Sequence, residues 1–66
     1  MNVTVNGETR TVADGSTLRD LVGGFGRTTR GIAAAVDGSV APRSTWAEVV
    51  LHDGAQVEIL TAVQGG

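Results

Sequence analysis

The glycine-rich run GGFGRTTRG, residues 23–31, is the first stretch whose composition suggests chemistry. Gly26 and Gly31 are separated by four residues, as are the two glycines of a phosphate-binding P-loop, so the first half of that motif is matched. In the second half, Ile32 and Ala33 follow where the motif needs Lys and Ser or Thr. The predicted element order is also helix then strand, the reverse of what a P-loop requires. Thr29 stands where a dinucleotide-binding loop needs its third glycine. We therefore interpret the run as a helix end and a loop.

Three other side chains invite a functional interpretation. His52 is the one histidine and the chain has no cysteine, whereas a zinc site takes three or four ligands, usually drawn from these types. No nucleophile stands in a recognisable elbow beside it, so a solvent-exposed loop histidine is favoured and no metal site is predicted. Phe25 and Trp46 are the only aromatic residues, and both are spaced with aliphatic residues at helical intervals. We expect them in the core rather than in a nucleic-acid stacking surface.

Composition narrows the class of protein further. A chain of 66 residues forms one domain with a thin core and little room for a deep active-site pocket. The formal net charge of −2 argues against nucleic acid as the main partner. No leader-like segment and no apolar run of about 20 residues is visible. The expectation is a cytoplasmic protein that does not touch a membrane.

The final residues, Gly65 and Gly66, are the remaining candidates for chemistry. An α-carboxylate, with a pKa of roughly 3.5, is ionised and a poor electrophile, but it becomes a good one as a mixed anhydride with AMP. Two residues without side chains can enter a narrow channel in another protein. From Ala62, five extended residues reach about 17 Å. We therefore expect a domain over residues 1–61 and a flexible tail over residues 62–66.

The elements that must position this tail begin with a hairpin. Residues 2–5 alternate apolar and polar, and residues 8–12 form the returning strand. Asn6-Gly7 between them is typical of a two-residue type I′ turn. A helix of two to three turns follows, capped by Ser16 or Thr17 with Asp20 in a capping box, and ended by glycines. Its apolar stripe consists of Leu18, Leu21, Val22 and Phe25.

The second half of the chain is predicted to supply three more strands. The segment 32–36 is apolar on both faces, and residues 39–41 return until Pro42 stops them. A brief helical turn follows, with Ser44 as a possible cap. Its apolar positions are Trp46, Val49 and Val50. Residues 56–61 form the last strand, in which Val57 and Ile59 face the helix.

The element order β-β-α-β-β-(short helix)-β indicates an α+β domain of the β-grasp (ubiquitin-like) type. One helix covers one face of a mixed sheet of four or five strands. Leu60 and Ala62 then point away from the helix, beside Ala33 or Ala35 of the neighbouring strand. This apolar surface next to the tail is predicted to bind partners.

The second half of the chain resembles the ThiS family, the sulfur carrier proteins of thiamine biosynthesis. In residues 36–66 the resemblance rests on a P-R-S-x-W block, an L-x-D-G-x-x-V-E-I block and the tail AVQGG. These are Pro42, Arg43, Ser44 and Trp46; Leu51, Asp53, Gly54, Val57, Glu58 and Ile59; and Ala62 to Gly66. Ala41 and Ala55 depart from the usual pattern, and the first half fits by pattern only.

The resemblance implies a mechanism in which the chain is a co-substrate rather than an enzyme. An ATP-dependent, E1-like (ThiF-like) adenylating enzyme would activate the Gly66 carboxylate, with Gly65 in the same channel. Sulfur from a persulfide would displace AMP and leave a thiocarboxylate. Thiazole synthase (ThiG-like) would take that sulfur into the thiazole ring. The chain itself would bind no cofactor, and Val63 and Gln64 of the tail would contact the partners together with Leu60 and Ala62.

Three alternatives of different classes remain open at this point. The first is a sulfur carrier of the same fold for another pathway such as molybdopterin, for which the tail AVQGG is less typical. The second is a protein modifier that forms isopeptide bonds, as ubiquitin does. The third is a β-grasp interaction module whose tail is inert.

Overall fold

The computed structural model describes residues 1–24 and 31–61, which form five strands and two short helices. The elements are β1 (Asn2–Val5), β2 (Glu8–Thr11), α1 (Leu18–Gly23), β3 (Ile32–Val36), β4 (Ser39–Ala41), the 3-10 helix η1 (Arg43–Glu48) and β5 (Gln56–Thr61). All five predicted strands are present. Within the described residues, no helix has the length and apolar character that a membrane span requires.

The five strands form one mixed sheet in the order β2-β1-β5-β3-β4. β5 lies in the middle, parallel to β1 on one side and antiparallel to β3 on the other. The other two pairings are antiparallel hairpins. The strand that leads into the predicted tail is therefore the central strand of the sheet.

In both hairpins, the two turn residues have positive φ, the left-handed backbone conformation. Asn6 has a φ of 51° and Gly7 a φ of 85°, so the predicted type I′ character of this turn is confirmed. Asp37 and Gly38, between β3 and β4, repeat the arrangement with φ values of 50° and 85°. Asn and Asp are the residues other than Gly that tolerate this region best.

The helix α1 begins where its predicted cap lies. The Thr17 hydroxyl accepts a hydrogen bond from the Asp20 N–H at 3.1 Å, and the Asp20 carboxylate accepts one from the Thr17 N–H at 3.0 Å. The bond from the Thr17 N–H to the carboxylate is the main cause that lowers the pKa of Asp20. The helix spans six residues, which is under two turns and shorter than predicted, and Gly24 is its C-cap. Phe25, the predicted fourth member of its stripe, lies outside the described residues.

The core lies between α1, η1 and one face of the sheet. Leu18, Leu21 and Val22 of the helix are buried, which confirms three positions of the predicted stripe. They belong to one cluster with Trp46 and with the valines of the sheet's inner face. The cluster consists of Val3, Val5, Leu18, Leu21, Val22, Ala34, Trp46, Leu51, Ala55 and Val57.

Two predictions for the segment after Pro42 are wrong. Ser44 is not a cap, because η1 begins one residue earlier and Pro42 occupies the N-cap position without a side-chain bond. Val50 does not continue the stripe of Trp46, because η1 ends at Glu48 and the chain becomes extended there. Val50 instead forms an isolated β-bridge with Thr17 and is 62% exposed.

Candidate functional site

The sheet face opposite α1 carries an exposed apolar surface. Leu60 is 67% exposed and lies directly across from Ala33 of β3. Ala35 lies across from Val40, which is 78% exposed. Strand alternation places these four residues on one face, because Ala34 and Val57 between them are buried on the other. We call Ala33, Ala35, Val40 and Leu60 the outer patch.

The outer patch confirms the predicted strand phase and the predicted exposure of Leu60. Val57 is fully buried and Ile59 half-buried, so both face the helix as expected. Glu58 is exposed opposite Ala35 and places one carboxylate within the patch. The arrangement can bind an apolar protein surface that carries a complementary cation.

The predicted tail residues lie outside the described part of the chain. These are Ala62, Val63, Gln64, Gly65 and Gly66. The structure does describe the strand that leads to them, which ends at Thr61 opposite Ile32. Because β5 runs parallel to β1, its last residue lies at the same end of the sheet as the Asn6-Gly7 turn. The described part of β5 therefore ends at the same end of the sheet as this turn, next to Leu60 of the outer patch.

The side chain of Asn6 makes a contact at this end of the sheet that the sequence did not predict, because the Asn6-Gly7 dipeptide indicates only a turn. Its Nδ2 donates to the carbonyl of Ile59 at 3.1 Å, and its Oδ1 accepts the Ile59 N–H at 2.9 Å. The side-chain amide thus binds both backbone groups of one residue of β5, two positions before the strand ends. An Asn in a turn often bonds to nearby backbone, but no local rule identifies a partner 53 positions away.

The opposite end of β5 is held by Asp37 and His52. The Asp37 carboxylate accepts the Gln56 N–H at 2.9 Å and lies 2.6 Å from His52 Nε2. These bonds lower the pKa of Asp37, the Gln56 bond most of all. The bond to Asp37 is the main cause that raises the pKa of His52. His52 is 61% exposed, so the prediction of an exposed loop histidine is confirmed, although its partner was not foreseen.

In the part of the candidate site that the structure describes, there is neither a metal centre nor a deep pocket. Within residues 1–24 and 31–61, no group of His, Cys, Asp or Glu side chains could hold a metal ion. A groove of about 630 Å³ lies between α1 and η1, and none of its lining residues belongs to the outer patch. Among the surfaces formed by the described residues, the outer patch near the end of β5 is the one best placed to act with the tail.

A helix packed on one face of a five-stranded mixed sheet, with the last strand of the chain in its centre, defines a β-grasp domain. The predicted fold class is therefore confirmed. The chain matches the ThiS family over residues 3–66, and it belongs to that family. The resemblance predicted from the sequence is confirmed with it.

Individual relatives agree with this assignment. The chain is 27% identical to the sulfur carrier protein ThiS of Escherichia coli, and both chains are covered completely. It is 32% identical to a thiazole synthase of Paramagnetospirillum magneticum, of whose length it spans 20%. The crystal structure of the thiamine biosynthesis protein ThiS from Geobacter metallireducens matches with a TM-score of 0.83 and 29% identity over the whole of both chains. Its solution structure gives a TM-score of 0.80, with 88% of that chain covered.

Proposed function

We propose that this member of the ThiS family is a sulfur carrier of thiamine biosynthesis whose Gly66 carboxylate holds the sulfur. The observation that carries the proposal is the family match over residues 3–66. The chain acts as a protein co-substrate in the cytoplasm, and enzymes do the chemistry on it. Residues 62–66 form a tail that enters their active sites, with Gly65 and Gly66 in the narrowest part.

The proposed chemistry takes three steps. The Gly66 carboxylate attacks the α-phosphorus of ATP in an adenylating enzyme, and pyrophosphate leaves. The terminal sulfur of a persulfide then attacks the acyl carbon and AMP leaves, after which a thiol reduces the acyl disulfide to a thiocarboxylate. Thiazole synthase takes the sulfur from this thiocarboxylate. ATP belongs to the adenylating enzyme, so the carrier itself needs no cofactor.

The outer patch is the proposed docking surface for the adenylating enzyme first and for thiazole synthase afterwards. Leu60 belongs both to the patch and to the strand that precedes the tail, so an enzyme that covers the patch also holds the start of the tail. Gly66 lies six positions after Leu60, and an extended chain of that length reaches about 20 Å. That length allows the domain to stay at the surface while Gly66 reaches a buried nucleotide. In this complex, Ala62, Val63 and Gln64 lie in the channel that leads to the nucleotide and contact the enzyme.

Mass spectrometry tests the proposed site directly. The full chain is incubated with a ThiF-like adenylating enzyme, ATP and a sulfide source, and it should gain the mass difference between sulfur and oxygen. Deletion of Gly66, or addition of one residue after it, should abolish the gain. The outer patch is unchanged in both variants, and circular dichroism should show that the fold is unchanged.

The possible outcomes separate the candidate functions. Sulfur retained on the variant without Gly66 would exclude the proposed site. Isopeptide-linked products in place of a thiocarboxylate would indicate a protein modifier. A thiocarboxylate that supports molybdopterin synthesis but not thiazole formation would indicate the other sulfur pathway.

A further inference from the structure

The backbone pairing of β1 with β5 ends at Asn6. The Asn6 N–H donates to the carbonyl of Val57 at 2.9 Å. A parallel ladder that continued would next use the N–H and C=O groups of Ile59. At Asn6, however, the chain adopts a φ of 51° and turns back into β2. The backbone of β1 therefore leaves the ladder before it can pair with Ile59.

The Asn6 side chain supplies the two bonds that the backbone no longer offers. Its amide combines a carbonyl acceptor with an N–H donor group, like a peptide unit, so Oδ1 accepts the Ile59 N–H at 2.9 Å and Nδ2 donates to the Ile59 carbonyl at 3.1 Å. On the other flank of β5, the residues on either side of Ile59 lie opposite β3, Glu58 across from Ala35 and Leu60 across from Ala33. Around Ile59 the strand therefore has a neighbour on both sides, whereas Leu60 and Thr61 continue along β3 alone.

We propose that Asn6 is a positioning residue for the sulfur-carrying tail, an inference that rests on the proposed function. Its side-chain amide fixes the last point at which β5 is held on both flanks. That point sets the position and direction of Leu60 and Thr61, the residues that connect the domain to the tail. A tail that is already directed loses less conformational freedom when it enters an enzyme, so binding is tighter.

Asp37 provides a matched control at the other end of the same strand. It too precedes a glycine in a hairpin turn and has a φ of 50°, and its carboxylate accepts the Gln56 N–H at 2.9 Å. Glycine at either position keeps the positive φ and removes the side-chain bond to β5. Asp37→Gly also loses the bond to His52, so it removes at least as many contacts as Asn6→Gly.

The decisive experiment measures adenylation kinetics with the full chain. Pyrophosphate release by the adenylating enzyme is followed against carrier concentration for the parent, Asn6→Gly and Asp37→Gly, at a temperature where all are folded. Asn6→Gly should raise KM roughly tenfold, as expected for the loss of two modest hydrogen bonds, and should change kcat less than about twofold. Asp37→Gly should leave KM unchanged. Asn6→Asp, which keeps the acceptor and loses the donor, should fall between the parent and Asn6→Gly.

Amide hydrogen exchange on the free carrier gives a second readout that needs no enzyme. The Ile59 and Leu60 amides should exchange faster in Asn6→Gly and should keep the parent rate in Asp37→Gly. Equal exchange in parent and Asn6→Gly would overturn the inference, and so would an equal KM or an equal rise of KM in Asp37→Gly. If Asn6→Gly does not fold, Asn6→Asp decides by the same two measurements. A parent chain that is never adenylated would overturn both the proposed function and the tail-positioning role built on it, whereas an adenylated parent with an unchanged Asn6→Gly would overturn the inference alone.

Discussion

Leu60→Glu should separate partner binding from folding. Since complete burial of a leucine side chain contributes about 1.5–3 kcal/mol and Leu60 is 67% exposed, the substitution should cost the fold only about 0.5–1 kcal/mol. If a partner covers the exposed two-thirds, binding should lose about 1–2 kcal/mol, a factor of roughly five to thirty in Kd. A carboxylate that must leave water on binding adds to this loss.

Val50→Glu is the matched control for this prediction. Val50 is 62% exposed, close to the value for Leu60, but it lies in the bridge to Thr17 rather than in the outer patch. Urea unfolding should show small and similar losses of stability for the two variants. Isothermal titration with the adenylating enzyme should show weakened binding for Leu60→Glu alone. Equal weakening by both variants would refute the docking assignment, and a stability loss of about 2–5 kcal/mol for Leu60→Glu would make it a core residue.

Three further predictions concern the fold. Thr17→Ala removes the hydroxyl that caps α1 and should cost about 1 kcal/mol in urea unfolding, most of which Thr17→Ser should restore. Trp46→Phe removes the indole donor to the Ala41 carbonyl and should cost about 1–3 kcal/mol by the same measurement. The bond to Asp37 raises the pKa of His52 above 6.5, so the pair stabilises the fold below that pH and loses this contribution as the pH rises through the folded-state pKa. The urea midpoint should therefore fall above pH 6.5 in the parent, and this fall should be absent in His52→Gln.

The parts of the fold that depend on neighbouring residues could be predicted from the sequence. The Asn6-Gly7 dipeptide identifies its turn, because few other residues adopt positive φ at both positions. The capping box of α1 is equally local, since Thr17 and Asp20 are three residues apart. The face of Leu60 follows from alternation along one strand. Local chemistry determines each of these features, so one sequence is enough to find them.

Features that join distant segments could not be predicted in this way. The Asn6 side chain binds Ile59 only because the sheet places β1 beside β5. Neither strand has a sequence pattern that indicates the other as its partner. The partner of His52 is hidden for the same reason. Val50 has helical spacing from Trp46, but the chain leaves the helical conformation before it because Val50 pairs with Thr17. In each case tertiary pairing, not local preference, determines the contact.

The central position of β5 also governs how the molecule is assembled during synthesis. β1 and β3 are synthesised before β5, and neither can form its pairing with β5 until that strand is made. For β1 the separation is large, since Asn6 and its partner Ile59 are 53 positions apart. Closure over such a separation is slow, and until it happens each waiting strand has an open edge that could pair wrongly. An interrupted chain would have neither a completed sheet nor the segment that follows β5. A folded domain that presents this segment must therefore already have β5 paired between β1 and β3.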